Sequence, residues 1–136
     1  MKFKRFIFVI AAVLIAFCTT VKAEGPVKIV PVKPDGVSRV EIIGGGYFFK
    51  PSYVAVKVNI PVELKVSKEP GLAPHDIVAK SPEAGIEFQV SLSSTPQIIK
   101  FTPTRVGKYP IYCSKTVPFS KSHREKGMEG IIEVAP

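Results

Sequence analysis

The chain has 136 residues, 46% of them hydrophobic, with 13 prolines, 10 glycines and a formal net charge of +8. That length fits one domain with a short extension. Val and Ile dominate the apolar set, which together with the prolines favours short strands joined by turns over a helical fold.

Residues 1–23 read as an export signal. Lys2, Lys4 and Arg5 form a positive start, residues 6–17 are an unbroken apolar run of 12, and Val21-Lys22-Ala23 offers cleavage after Ala23. The run is shorter than the ~18 apolar residues of a spanning helix. The mature chain, 24–136, is therefore expected to be exported to a periplasmic or extracellular space with no membrane span. An uncleaved signal would serve as an anchor instead. Bulky Phe17 before Cys18 speaks against a lipoprotein.

Cleavage leaves 15 Lys and Arg against 11 acids, a net charge of +4. With no basic run, nucleic acid is not an expected partner. An acidic protein fits better. Cleavage also removes Cys18, so Cys113 stands alone in an oxidising compartment. A lone cysteine there implies an intermolecular bridge, a reactive thiol or a metal ligand.

Residues 24–36 carry three prolines and little alternation, so they read as a linker or edge segment. The domain proper is expected over 37–136. Val40 and Ile42 alternate with Arg39 and Glu41 until Gly44-Gly45-Gly46, which is expected to break the strand as a flexible turn. Val54, Val56 and Val58 share a face, as do Val62, Leu64 and Val66 after a turn at Asn59-Ile60-Pro61. Phe88, Val90 and Leu92 repeat the pattern, followed by Ile99 and Phe101, then Tyr109, Ile111 and Cys113, and finally Ile132 and Val134. A period of two in each run predicts a strand. Only 82–88 and 119–127 could hold a helical turn, and the latter lacks an apolar stripe and reads as loop. Antiparallel sheets with one wet face must bury the other, which predicts a two-sheet sandwich.

The chemistry-bearing residues of the mature chain are His75, Cys113, His123 and Met128, in that order and without spare copies of their kinds. Two imidazoles, a thiolate and a weak axial thioether are the donor set of copper electron-transfer sites. Soft sulfur favours Cu(I) and imidazole tolerates Cu(II), so the ion can change charge with little movement of its ligands. Zinc is the rival metal, but its soft sites use several cysteines and methionine is not among its usual ligands. His75 sits at a strand start, Cys113 at a strand end, and His123 and Met128 on the following loop. One remote ligand and three clustered ones define a site at one end of a sandwich. No Ser-His-Asp arrangement or second metal cluster points to an enzyme.

Several segments carry a resemblance to a known family. They are Tyr47-Phe48-Phe49-Lys50-Pro51, the strands around Asn59, Pro74-His75-Asp76, the run from Gly107 through Tyr109 and Ile111 to Cys113, and His123-Arg124-Glu125-Lys126-Gly127-Met128-Glu129-Gly130. Over about residues 38–136 the chain resembles the cupredoxins, which include plastocyanin, pseudoazurin and azurin. The resemblance implies an all-β, antiparallel Greek-key β-sandwich of about 7–8 strands. It implies one copper ion of the type 1 kind, with His75, Cys113 and His123 equatorial and Met128 axial. It also implies a one-electron carrier that meets a redox partner protein. Copper delivery, storage or assembly is the alternative.

One departure is the gap of nine residues, 114–122, between Cys113 and His123, longer than the plastocyanin-like pattern. Chain reach permits closure, since ten steps span up to roughly 33–36 Å. Asp76, next to the first ligand, is expected to brace the site by hydrogen bonding. Leu72, Ala73, Pro74, Val117, Pro118 and Phe119 are expected to form an apolar collar around an exposed imidazole edge, that of His123. Lys121, Arg124 and Lys126 would ring it with positive charge for an acidic partner.

Overall fold

The structure is a computed structural model that describes residues 25–136. The expected export signal and Cys18 lie outside the described residues. Among the described residues ten strands form two sheets: β1 (Lys28–Ile29), β2 (Ser38–Gly45), β3 (Phe48–Lys50), β4 (Tyr53–Lys57), β5 (Val62–Lys68), β6 (Asp76–Ser81), β7 (Ile86–Ser91), β8 (Gln97–Phe101), β9 (Gly107–Tyr112) and β10 (Glu129–Ala135). One sheet has the order β1-β4-β10-β9-β6-β7, the other β3-β2-β5-β8. Among the described residues no helix is long and apolar enough to cross a membrane.

Alternation dictates the core. Val62, Leu64 and Val66 of β5 are at most 1% exposed, whereas Glu63 and Lys65 between them face outward. Val54 and Val56 of β4, Ile111 of β9, and Ile132 and Val134 of β10 close over them from the other sheet. Each such buried aliphatic side chain contributes about 1.5–3 kcal/mol relative to exposure. Lys28 and Ile29 add a short edge strand beside β4, and Val30 after them enters the core.

The sandwich is mixed rather than purely antiparallel. β1 and β10 run parallel to β4, and β2 runs parallel to β5. The cause is that the chain leaves β2 and β3 for the other sheet at β4, then re-enters beside β2 in the same direction. Alternation along a strand specifies which face is buried but not which partner lies alongside.

The expected break at Gly44-Gly45-Gly46 is also corrected. Gly44 and Gly45 stay in β2 and pair with Phe49 and Phe48 of β3. Only Gly46, with φ 50°, belongs to the turn. A Cβ on Gly44 would lie 2.6 Å from Leu92 Cδ1 and 3.1 Å from Met128 Cε. Glycine is there because two core side chains come close to the backbone.

Candidate metal centre

Strands β6, β9 and β10 of the six-stranded sheet and the loops at their ends bring three donor atoms together. Cys113, immediately after β9, places Sγ 3.5 Å from His123 Nδ1 and 3.9 Å from His75 Nδ1. The two imidazole Nδ1 atoms are 3.1 Å apart. All three side chains are buried: Cys113 is 0% exposed, His123 1% and His75 5%. Together they can hold one metal ion.

With bonds of about 2.0–2.1 Å to nitrogen and about 2.3 Å to sulfur, two donors of one ion lie at most about 4.1–4.4 Å apart, and all three pairs here are within that reach. One thiolate with two imidazoles suits copper, zinc or another soft or borderline ion and excludes an oxygen-seeking one.

Local backbone bonds explain the placement. Cys113 N–H donates to the Met128 carbonyl and Met128 N–H to the His123 carbonyl, each at 3.0 Å. The His75 carbonyl accepts from Leu92 N–H at 2.9 Å. Met128, the fourth expected ligand, is fully buried and thus joined through its main chain to both neighbouring ligand positions.

Residues 114–122 leave this frame intact. His123 N–H donates to the Lys115 carbonyl at 2.9 Å, so the extra length loops outward and returns. Just before His123, Ser122 and Glu125 bond reciprocally. The Glu125 carboxylate accepts from Ser122 N–H at 2.7 Å and from its hydroxyl at 2.8 Å, and Ser122 Oγ accepts from Glu125 N–H at 3.2 Å. This Ser-x-x-Glu spacing is a capping box that opens the turn carrying His123. The spacing is visible in the sequence although the segment lacks the apolar stripe of a helix.

Asp76 is 1% exposed and accepts from Ser114 N–H at 2.7 Å, Ser114 O–H at 2.5 Å and Gln89 Nε2 at 3.3 Å. It ties the strand following His75 to the residue following Cys113. Burial pushes its carboxyl up, but bonds from Ser114, Cys113 and Gln89 outweigh that and hold it below the ordinary carboxylate value. Burial also holds both imidazoles below their ordinary value. The second imidazole and Lys68 add to this at His75, and Lys126 adds to it at His123. Both rings are thereby kept neutral, the form that ligates. Burial pushes the Cys113 thiol up, so binding a metal there releases a proton.

The expectation of a surface-exposed His123 is not met. Tyr47, in the turn between β2 and β3, packs edge-on against His123 with ring centroids 5.0 Å apart and against His75 at 6.1 Å. It does so from a left-handed backbone with φ 64°. Lys126 Nζ lies 4.6 Å above the Tyr47 ring. Of the residues expected to form a collar, Leu72 and Phe119 are fully exposed and Val117 is partly so. Of the expected cations, Arg124 pairs with Glu129 and stacks over Tyr112, so its charge is partly spent within the chain.

No family model matches the chain, and no curated protein matches it. Solved structures do. One is the metal-binding domain of the Cu(I)-exporting P-type ATPase CopA of Streptococcus pneumoniae D39, with Cu(I), at 18% identity and TM-score 0.60, covering 82% of this chain and 97% of that one. A second is auracyanin A, a "blue" copper protein of Chloroflexus aurantiacus, at 18% identity and TM-score 0.55, covering 74% of this chain and 100% of that one. A third is the copper-containing nitrite reductase of Thermus scotoductus, at 22% identity and TM-score 0.55, covering 81% of this chain but 28% of that one. The chain has a cupredoxin-like fold. That fold also occurs as part of larger enzymes, so by itself it does not assign an activity.

Proposed function

We propose that this chain is an exported copper protein that holds one ion with His75, Cys113, His123 and Met128 and passes single electrons to a redox partner. The observation that carries the reading is the trio of buried donors at 3.1, 3.5 and 3.9 Å, already converged on one point. Copper, when bound, supplies a one-electron Cu(II)/Cu(I) couple.

The chain's own residues do the rest. Cys113 offers the soft anion, and neutral His75 and His123 offer Nδ1 lone pairs. Met128, fully buried between them in the chain's hydrogen-bond network, is the axial candidate. The sheets and the Asp76–Ser114 bonds fix these positions, so little reorganisation accompanies a change of charge. Tyr47 excludes water from both imidazoles and, being 37% exposed, gives a partner the shortest covered approach to them. Leu72 and Phe119 supply apolar contact nearby, and Lys121 and Lys126 favour an acidic partner surface. Residues 1–23 would direct export, leaving 37–136 as the copper-binding domain with 24–36 as its leading segment.

The second reading is copper delivery or assembly. It draws on the exposed loop 114–122 next to the site, and on the likeness to a Cu(I)-exporting ATPase domain. One experiment separates the two. The copper-loaded protein is mixed rapidly with a one-electron reductant, and in parallel with a Cu(I) chelator. The carrier reading predicts reduction that is complete long before the chelator removes the metal. Metal loss that keeps pace with reduction would favour delivery.

A further inference from the structure

Asp76 is a buried carboxylate that accepts from neutral donors, among them the Ser114 main chain, the Ser114 hydroxyl and the Gln89 amide. Among the described residues no lysine or arginine forms a salt bridge with it. A buried anion without a cation is unfavourable. Yet both oxygens of Asp76 accept, Oδ1 from the Ser114 N–H and Oδ2 from the Ser114 hydroxyl and the Gln89 amide, the acceptor-only pattern of the ionised group, and it directly follows His75.

Building on the copper reading above, we propose that Asp76 is the fixed counter-charge of the centre and biases it toward Cu(II). With a thiolate at Cys113 and a carboxylate at Asp76, the buried site is neutral with Cu(II) and carries one negative charge with Cu(I). Reduction adds one electron from an external donor, breaks no bond and moves no proton. Asp76 therefore opposes that step by electrostatics alone, and its burial leaves it less screened than a surface charge. Ser114 and Gln89 hold the carboxylate in place. The consequence is a reduction potential lower than the donor set alone would give.

The test uses the whole mature chain at pH 7. Copper affinities in both oxidation states are measured by competition with Cu(II) and Cu(I) chelators, together with the reduction potential. Asp76→Asn keeps the shape and can still bond Ser114. It is expected to shift the Cu(II)/Cu(I) affinity ratio toward Cu(I) by about tenfold or more, which is 59 mV per tenfold for one electron. The thiolate-to-copper absorption should persist. Gln89→Lys, at an exposed position on β7, places an ammonium beside the same carboxylate without touching a ligand loop. It is expected to shift the ratio the same way by a smaller factor, and it decides the matter if Asp76→Asn does not fold. An unchanged ratio in these variants, with the absorption intact, overturns the counter-charge and leaves the copper reading standing. A wild-type chain that takes up no copper overturns both.

Discussion

The main-chain N–H of His123 donates to the carbonyl of Lys115 at 2.9 Å, which makes the residues between them an excursion from the ligand frame rather than part of it. Phe119 at its tip is fully exposed, with φ 60°. Replacing residues 116–121 with a two-residue Asn-Gly turn is therefore expected to preserve the thiolate-to-copper absorption band and its intensity. Electron transfer to a partner protein should slow, because the Phe119 contact is gone. Absorption spectra and stopped-flow rates of the shortened protein check both. Loss of the band would show that the loop itself shapes the site.

Tyr47 covers both imidazoles from a backbone conformation that costs a non-glycine residue about 1–2 kcal/mol. Tyr47→Gly should relieve that strain, so the melting temperature of the metal-free protein is expected to hold or rise. The uncovered imidazoles should lose copper to a chelator several-fold faster. Tyr47→Phe keeps the ring and should lose copper at the wild-type rate, since only the contact with Lys126 Nζ at 3.5 Å is removed. Equal loss rates in all three proteins would remove Tyr47 from the account.

Gly44 is the point where β2 lets Leu92 and Met128 approach the backbone. Gly44→Val must displace both side chains and is expected to destabilise the fold by about 1–3 kcal/mol. Because Met128 is one of them, the copper hyperfine splitting in EPR should change as well. Denaturant melts and EPR of the variant measure the two effects. A destabilised protein with unaltered EPR would count against Met128 as an axial ligand.

What the sequence disclosed and what it hid divide along physical lines. Val62, Leu64 and Val66 announced their strand because one face of it is fully buried. The trio His75, Cys113 and His123 was legible because each donor type is scarce in the mature chain and the set is chemically coherent. β1 and β3, with two and three residues, are too short to show a period. The parallel pairing of β4 with β10 was hidden because a period of two says nothing about neighbours. Gly44 and Gly45 read as a break because glycine is ambiguous between a turn and a close approach. The burial of His123 was missed because its cover, Tyr47, lies far away in sequence and acts through an unusual backbone angle. The Ser122–Glu125 box, by contrast, was present in the spacing.

Arg39 bridges Asp35 at 2.7 Å and Glu63 at 2.8 Å on the outer face of the four-stranded sheet. Hydrogen bonding to Arg39 holds both carboxyls below their ordinary values. A depressed folded value means the unfolded chain takes up protons first. The stabilisation is thus present above the unfolded values of about 3.9 and 4.3 and is lost as pH falls through the folded ones. Arg39→Gln is expected to lower stability at neutral pH by the small amount of an exposed ion pair, to lose that effect below the carboxylate range, and so to raise the midpoint of acid unfolding. Circular dichroism followed from pH 7 to pH 2 gives the comparison, and coincident midpoints would contradict it.

The central claim is that a thiolate and two imidazoles hold copper together. Its most direct test is titration of the purified mature chain with Cu(II), followed by visible absorption and EPR. One equivalent should produce an intense sulfur-to-copper charge-transfer band that saturates at a 1:1 ratio and is absent from Cys113→Ser. A chain that stays colourless, or an equally intense band in the serine variant, would contradict it.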